Sequence, residues 1–251
     1  MSIWGKVIGG VAGFSVGGPL GAILGVAAGH AYDKSKQEMS EPGAFSGGIN
    51  RQSKQVAFTT AVIVLGAKMA KADGQVTPDE VKAFKQVFQI PARDMSAVGR
   101  VFDEAKQDPT GFEPYAEQIA GMFRFQPQIL EDLLGGLFHI AKADGVIHAR
   151  EMEFLENVAR IFGFDAHAFE RLKSIYLDGQ GDGDDPYAVL EVDAAISDDD
   201  LKKAYRKLIR ENHPDKLMAE GLPEEFIKVA NEKMAAINAA YDRICKQRGI
   251  K

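Results

Sequence analysis

A single cysteine, Cys245, occurs in the 251 residues. It excludes an intramolecular disulfide framework and any zinc module built on several cysteines. Positive charge is not in excess. Thirty Lys and Arg stand against 36 Asp and Glu, a formal net charge of −6, so wholesale nucleic-acid binding is not the default. No segment shows sustained period-two alternation, so β-strands lack their main sequence signal.

Glycine is abundant, with 26 residues. From Val7 to Gly29 the chain runs 23 residues without a charge. As a helix this stretch would span roughly 35 Å, against about 30 Å of bilayer hydrocarbon. Its glycines are ordered: Gly5, Gly9, Gly13, Gly17, Gly21, Gly25 and Gly29 recur at every fourth residue. Each glycine costs a helix in water roughly 1 kcal/mol relative to Ala. In lipid the backbone must satisfy its own hydrogen bonds, and a small-residue seam lets two helices approach closely. Residues 1–32 are therefore read as a glycine-zipper transmembrane helix that forms a homodimer. The rivals are a cleaved signal peptide, a flexible glycine-rich tail and another glycine-rich assembly element. A signal peptide would have Lys6 before the core and small residues at Ala27, Ala28 and Ala31, but Pro19 and the glycines break its core. Pro19 also permits a kink or a re-entrant hairpin, and the flanking charges are too balanced to set orientation.

Residues 33–49 are polar and read as a linker. Helical periodicity then takes over, marked first by Val62, Leu65 and Met69, and later by Leu130, Leu133, Leu134, Leu137 and Ile140. The pattern predicts an all-α bundle of about seven helices over residues 50–178. The bundle contains an internal echo. The run from Ala67 through Asp73-Gly74 is answered 71 residues later by the run from His139 through Asp144-Gly145. A glutamate follows each aspartate by seven residues, Glu80 after Asp73 and Glu151 after Asp144. These paired turns resemble the TerB (tellurite-resistance) fold. The resemblance implies a possible divalent-metal site at Asp73, Glu80, Asp144 and Glu151, since converging carboxylates suit a hard cation. The plainer alternative is structural: Asp-Gly is a common turn, and Glu in a first turn complements the helix dipole. The acidic, glycine-rich residues 179–184 read as a second linker.

Residues 185–251 hold the most specific pattern. Pro186–Leu190 is a short apolar helix start. Ser197 with Asp198, Asp199 and Asp200 marks the N-terminus of a helix that runs to about Glu211. Leu201, Ala204, Tyr205, Leu208 and Ile209 form its buried face. Lys203, Arg206, Lys207 and Arg210 form a basic stripe on the other, with Lys202 beside it. His213-Pro214-Asp215 follows, where proline forbids continuation of that helix. A last helix from about Glu224 to Cys245 turns Phe226, Ala230, Met234, Ile237, Ala240, Tyr241 and Ile244 inward.

This segment resembles the J domain. The matching runs are Asp185-Pro186-Tyr187-Ala188-Val189-Leu190, Leu201-Lys202-Lys203-Ala204-Tyr205-Arg206-Lys207-Leu208, His213-Pro214-Asp215-Lys216 and Ile237-Asn238-Ala239-Ala240-Tyr241. Two features depart from the usual pattern: Glu191 stands where the family usually has glycine, and Leu217–Pro223 is longer. Glu191 is expected to alter only the end of the first helix. The order of glycine-rich membrane helix, TerB-like middle and J domain resembles the DjlA type of membrane-anchored, DnaJ-like co-chaperone.

That resemblance implies a non-catalytic adaptor that recruits a DnaK-type Hsp70 and stimulates its ATPase. His213, Pro214 and Asp215 would be the contact loop, and Lys202, Lys203, Arg206, Lys207 and Arg210 would steer association. It implies an inner-membrane location with the J domain in the cytoplasm, where ATP is available. No Gly/Phe-rich region or C-terminal β-domain of the general client-binding type is present, so the client range is expected to be restricted. No cofactor is required beyond the possible divalent metal. The alternative is a metal-responsive membrane stress protein acting through the acidic turns. His213 as a general base is disfavoured, because no nucleophile or second base accompanies it.

Overall fold

The computed structural model describes residues 51–72, 95–105, 111–143, 145–178 and 185–250. The glycine ladder, both linkers, and Asp73, Glu80 and Asp144 lie outside the described residues. Among the described residues the architecture is all-α, as periodicity predicted, without a strand.

The first helix, α1 (Arg51–Ala72), is the centre of the fold. Every residue from Val56 to Ala70 is buried. A helix that is apolar nearly all round belongs inside a bundle rather than on its surface. Around it pack α2 (Met95–Ala105), α3 (Glu113–Met122), α4 (Pro127–Ala141) and α5 (Ala149–Ile161). Helix α6 (Ala166–Lys173) follows, started by Asp165, whose carboxylate accepts from Ala168 N at 2.8 Å. It runs into a π-turn at Ser174–Asp178.

Helix α4 carries two adjacent glycines, each of which admits an aromatic ring. A Cβ on Gly135 would lie 2.8 Å from Tyr176 Cε1, and one on Gly136 would lie 2.8 Å from Phe226 Cε1. Both distances are too short for real carbon contacts. The Phe226 ring also stands edge-on to Phe58 of α1, with centroids 4.7 Å apart.

The C-terminal segment forms α7 (Pro186–Val189), α8 (Asp198–Glu211), α9 (Pro214–Glu220), a 3-10 turn at Glu224–Phe226 and α10 (Ile227–Arg248). Two expectations need correction. The chain does not stay a loop after Pro214, because proline at a first helical position lacks only an N–H that is unpaired there anyway. The last α-helix also begins three residues later than Glu224 and extends past Cys245 to Arg248.

A third difference concerns packing. Lys233, not Met234, is fully buried on α10. Its Nζ donates to Asp132 Oδ1 at 2.7 Å and Glu131 Oε2 at 3.1 Å, both on α4, and to the Gln128 carbonyl at 3.3 Å. The predicted buried face of α8 is also shallower than expected. Leu201 is fully buried, while Ala204, Tyr205, Leu208 and Ile209 are half-buried. With few elements packed on it, the α8–α10 hairpin gains cohesion from specific contacts. The Tyr205 and Tyr241 rings stack at 3.9 Å, and Tyr205 Oη donates to Asn238 Oδ1 at 2.9 Å. Arg248 ties the end of α10 to the Tyr187 hydroxyl, the Ala194 and Ile196 carbonyls and Asp198.

Glu191 does more than end the first short helix. It takes φ +56°, the only described non-glycine residue with positive φ, and its carboxylate lies 3.2 Å from Arg171 Nη2 of α6. A left-handed backbone costs an ordinary residue roughly 1–2 kcal/mol, and a half-exposed ion pair offsets up to about 1 kcal/mol of that. Glu191→Gly is therefore expected to change stability by no more than about 1 kcal/mol, since it removes both contributions. Thermal unfolding of the two chains side by side checks this.

Candidate functional site

The site is built where α8 ends and α9 begins. Helix α8 starts at Ser197, whose Oγ accepts from Asp200 N at 3.2 Å and donates to Asp200 Oδ2 at 2.8 Å. Three acids in its first turn and Arg210 in its last complement the helix dipole. The basic residues form an outward row: Lys203, Arg206, Lys207 and Arg210 are exposed and Lys202 is half-exposed. Lys203 is pinned at 2.8 Å to Asp200. The hydrogen bonds from Lys203 and Ser197 hold the Asp200 carboxyl below its ordinary value, and the bond to Asp200 raises Lys203. Among the described residues no acid pairs with Lys202, Lys207 or Arg210, so their charge remains available to a partner.

Asn212 stops α8. Its backbone N–H and its side-chain amide both donate to the Leu208 carbonyl, each at 2.9 Å. Asn212 is buried, so the His213-Pro214-Asp215 turn leaves a fixed anchor. Sequence analysis assigned Asn212 no role; the small polar residue directly before His-Pro was the available signal. His213 then caps α9, with Nδ1 accepting from Asp215 N at 3.2 Å. Nδ1 also lies 3.8 Å from Asp215 Oδ2. An accepting Nδ1 places the imidazole proton on Nε2. The His213 side chain is 50% exposed and that of Asp215 82%. A ring held by one nitrogen and presenting a donor with the other is thus set beside a free carboxylate. Pro214 fixes the backbone between them. The structure therefore brings His213, Pro214, Asp215 and the basic row onto one continuous helix–turn–helix unit.

Of the four proposed metal-ligating acids, only Glu151 is described. It is buried, and its Oε2 accepts from His148 N at 2.9 Å, which caps α5. Arg150 Nη1 donates to the Ala72 carbonyl at 3.3 Å, so the end of α1 and the start of α5 are neighbours. Among the described residues no helix is long and apolar enough to cross a membrane.

Comparison with known families divides the chain in three. Residues 1–50 match the co-chaperone DjlA transmembrane domain, 59–174 the tellurite resistance protein TerB family, and 185–248 the DnaJ domain. The co-chaperone protein DjlA of Photobacterium profundum is 31% identical over 277 residues, covering 99% of this chain and 100% of the relative. That of Coxiella burnetii is 33% identical over 266 residues, covering 98% of each. That of Vibrio cholerae is 32% identical over 288 residues, covering 100% of each. No solved structure matches the chain. With full-length relatives above 30% identity and three family matches in the same order, the chain belongs to the DjlA family of membrane-anchored, J-domain co-chaperones.

Proposed function

We propose that this chain recruits a DnaK-type Hsp70 to the cytoplasmic face of the inner membrane and stimulates its ATPase, as a homodimer joined through the glycine ladder. One observation supports this best: the exposed His213-Pro214-Asp215 turn continues directly from a helix whose Lys202, Lys207 and Arg210 have no acidic partner among the described residues. Unpaired charge on a rigid helix attracts an acidic surface and fixes its orientation, acting chiefly on the association rate. The turn then meets the partner with a donor, a rigid proline and an acceptor. The chain acts on its partner's catalysis and contributes no nucleophile of its own.

The test is ATP hydrolysis by DnaK with the full chain in lipid bicelles, measured across ionic strength. Stimulation should fall as salt rises, because exposed charges screen beyond about 8–10 Å at physiological salt. Lys207→Glu should require several-fold more chain for the same stimulation and should flatten the salt dependence. A parent chain that leaves the hydrolysis rate unchanged at every salt concentration would remove the proposal.

A further inference from the structure

We propose that the helical bundle holds the J hairpin as a docked arm, with Phe226, Gly136 and Lys233 as positioning residues that fix where the His213-Pro214-Asp215 turn faces. The longer stretch after that turn supplies the first contact. Helix α9 leads from Pro214 straight to Gly221, and Leu222, Pro223 and Phe226 are then buried. The Leu222 carbonyl accepts from Gln55 Nε2 of α1 at 3.2 Å. Phe226 fills the seat opened by Gly136 and closes on Phe58. The extra residues thus form a wedge into the bundle, which gives a physical reason for their presence.

The second contact is polar and lies one turn away along α4, since Asp132 stands four residues before Gly136. Lys233 sits between Glu131 and Asp132 of α4, and Arg171 of α6 donates to Glu131 and pairs with Glu191. At the rim, His139 Nε2 lies 2.7 Å from Glu232 Oε2. Apolar contacts alone tolerate sliding, whereas a buried ammonium shared by two carboxylates has one satisfactory register. The wedge and the latch both use surfaces away from the exposed basic row and the turn. The docked arm therefore presents its partner-facing side outward.

The docking stands on contacts alone, and its consequence for Hsp70 rests on the function proposed above. Spin labels at Glu153→Cys on α5 and Asp199→Cys on α8, both exposed positions, in a Cys245→Ser background report the distance between bundle and arm. The full chain is studied in bicelles, diluted with excess unlabelled chain. A docked arm gives one narrow distance distribution. An arm held only by the six residues 179–184 would spread over on the order of 13 Å.

Gly136→Ala keeps the bundle helix favourable but places a methyl against the Phe226 ring, so the distribution should broaden with helical circular dichroism unchanged. Adding Phe226→Leu removes the clashing ring atom and should narrow it again. A broad distribution in the parent chain, or one as narrow in Gly136→Ala as in the parent, overturns the proposal. DnaK stimulation measured on the same samples separates the two ideas. A narrow parent without stimulation defeats the proposed function and leaves the docking intact.

Discussion

Lys233→Ala is expected to destabilise the chain by about 3–5 kcal/mol, the range seen when one partner of a buried ion pair is removed. The reason is what the substitution leaves behind. Lys233 is the cation paired with Asp132 and the second cation on Glu131, and Asp132 Oδ2 already has no hydrogen-bond partner among the described residues. The two acids should respond differently. Burial would raise the Glu131 carboxyl, but Lys233 and Arg171 together outweigh it and hold it below its ordinary value. For Asp132 burial wins over Lys233 alone and raises it.

Their pH signs are therefore opposite. Glu131 contributes stability that is present above the ordinary carboxylate range and is lost as pH falls through its lowered value. Asp132 favours the native state most when protonated, and that contribution is lost as pH rises from its ordinary value through its raised one. Glu131→Gln should thus cost most of what Lys233→Ala costs, while Asp132→Asn should cost about 1 kcal/mol or less near neutrality. Urea unfolding of the three variants at neutral pH checks this order. Equal losses for Glu131→Gln and Asp132→Asn would show that the two carboxylates share the lysine evenly.

His213→Gln is expected to abolish stimulation of DnaK while leaving the fold nearly untouched. The stability cost is that of a helix cap, about 1 kcal/mol, because among the described residues the hydrogen bond lost is the 3.2 Å one from Asp215 N. The functional cost is larger because glutamine cannot hold a ring nitrogen donor in a fixed direction. Its side chain has more rotatable bonds, and an amide anchored through its oxygen points its nitrogen elsewhere. Asp215→Asn should show the same division, since the Asp215 side chain is 82% exposed. Thermal unfolding paired with hydrolysis rates distinguishes this from misfolding. Stimulation by His213→Gln equal to that of the parent would show that the turn is not the contact.

Much of the architecture was legible in the sequence because helices advertise themselves locally. Ser197 and Asp200 announced the start of α8, and the spacing of Leu130, Leu133, Leu134 and Leu137 announced α4. The His-Pro-Asp turn was legible for the same reason, since its neighbours in space are its neighbours in sequence. Lys233 was not legible. A lysine within the last helix reads as solvated, and only α4, about 100 residues earlier, supplies the acids that permit its burial. Gly135 and Gly136 were equally silent, because the rings they admit come from Tyr176 and Phe226. Glu191 was noticed as an exception, but its partner Arg171 belongs to the bundle and could not be inferred from the short helix it ends.

The position of α1 has a consequence for how the protein is made. It is the first described helix to leave the ribosome, yet its apolar surface is closed in part by Phe226, which follows much later in the chain. The hydrogen bond from Gln55 to Leu222 spans 167 residues. Loop-closure entropy must be met before such contacts form, so they come late and slowly. The nascent bundle must therefore wait, with one seat on its central helix open, until the segment carrying Phe226 has emerged. This co-chaperone is itself a chain whose early exposed surface suits the attention of the machinery it recruits.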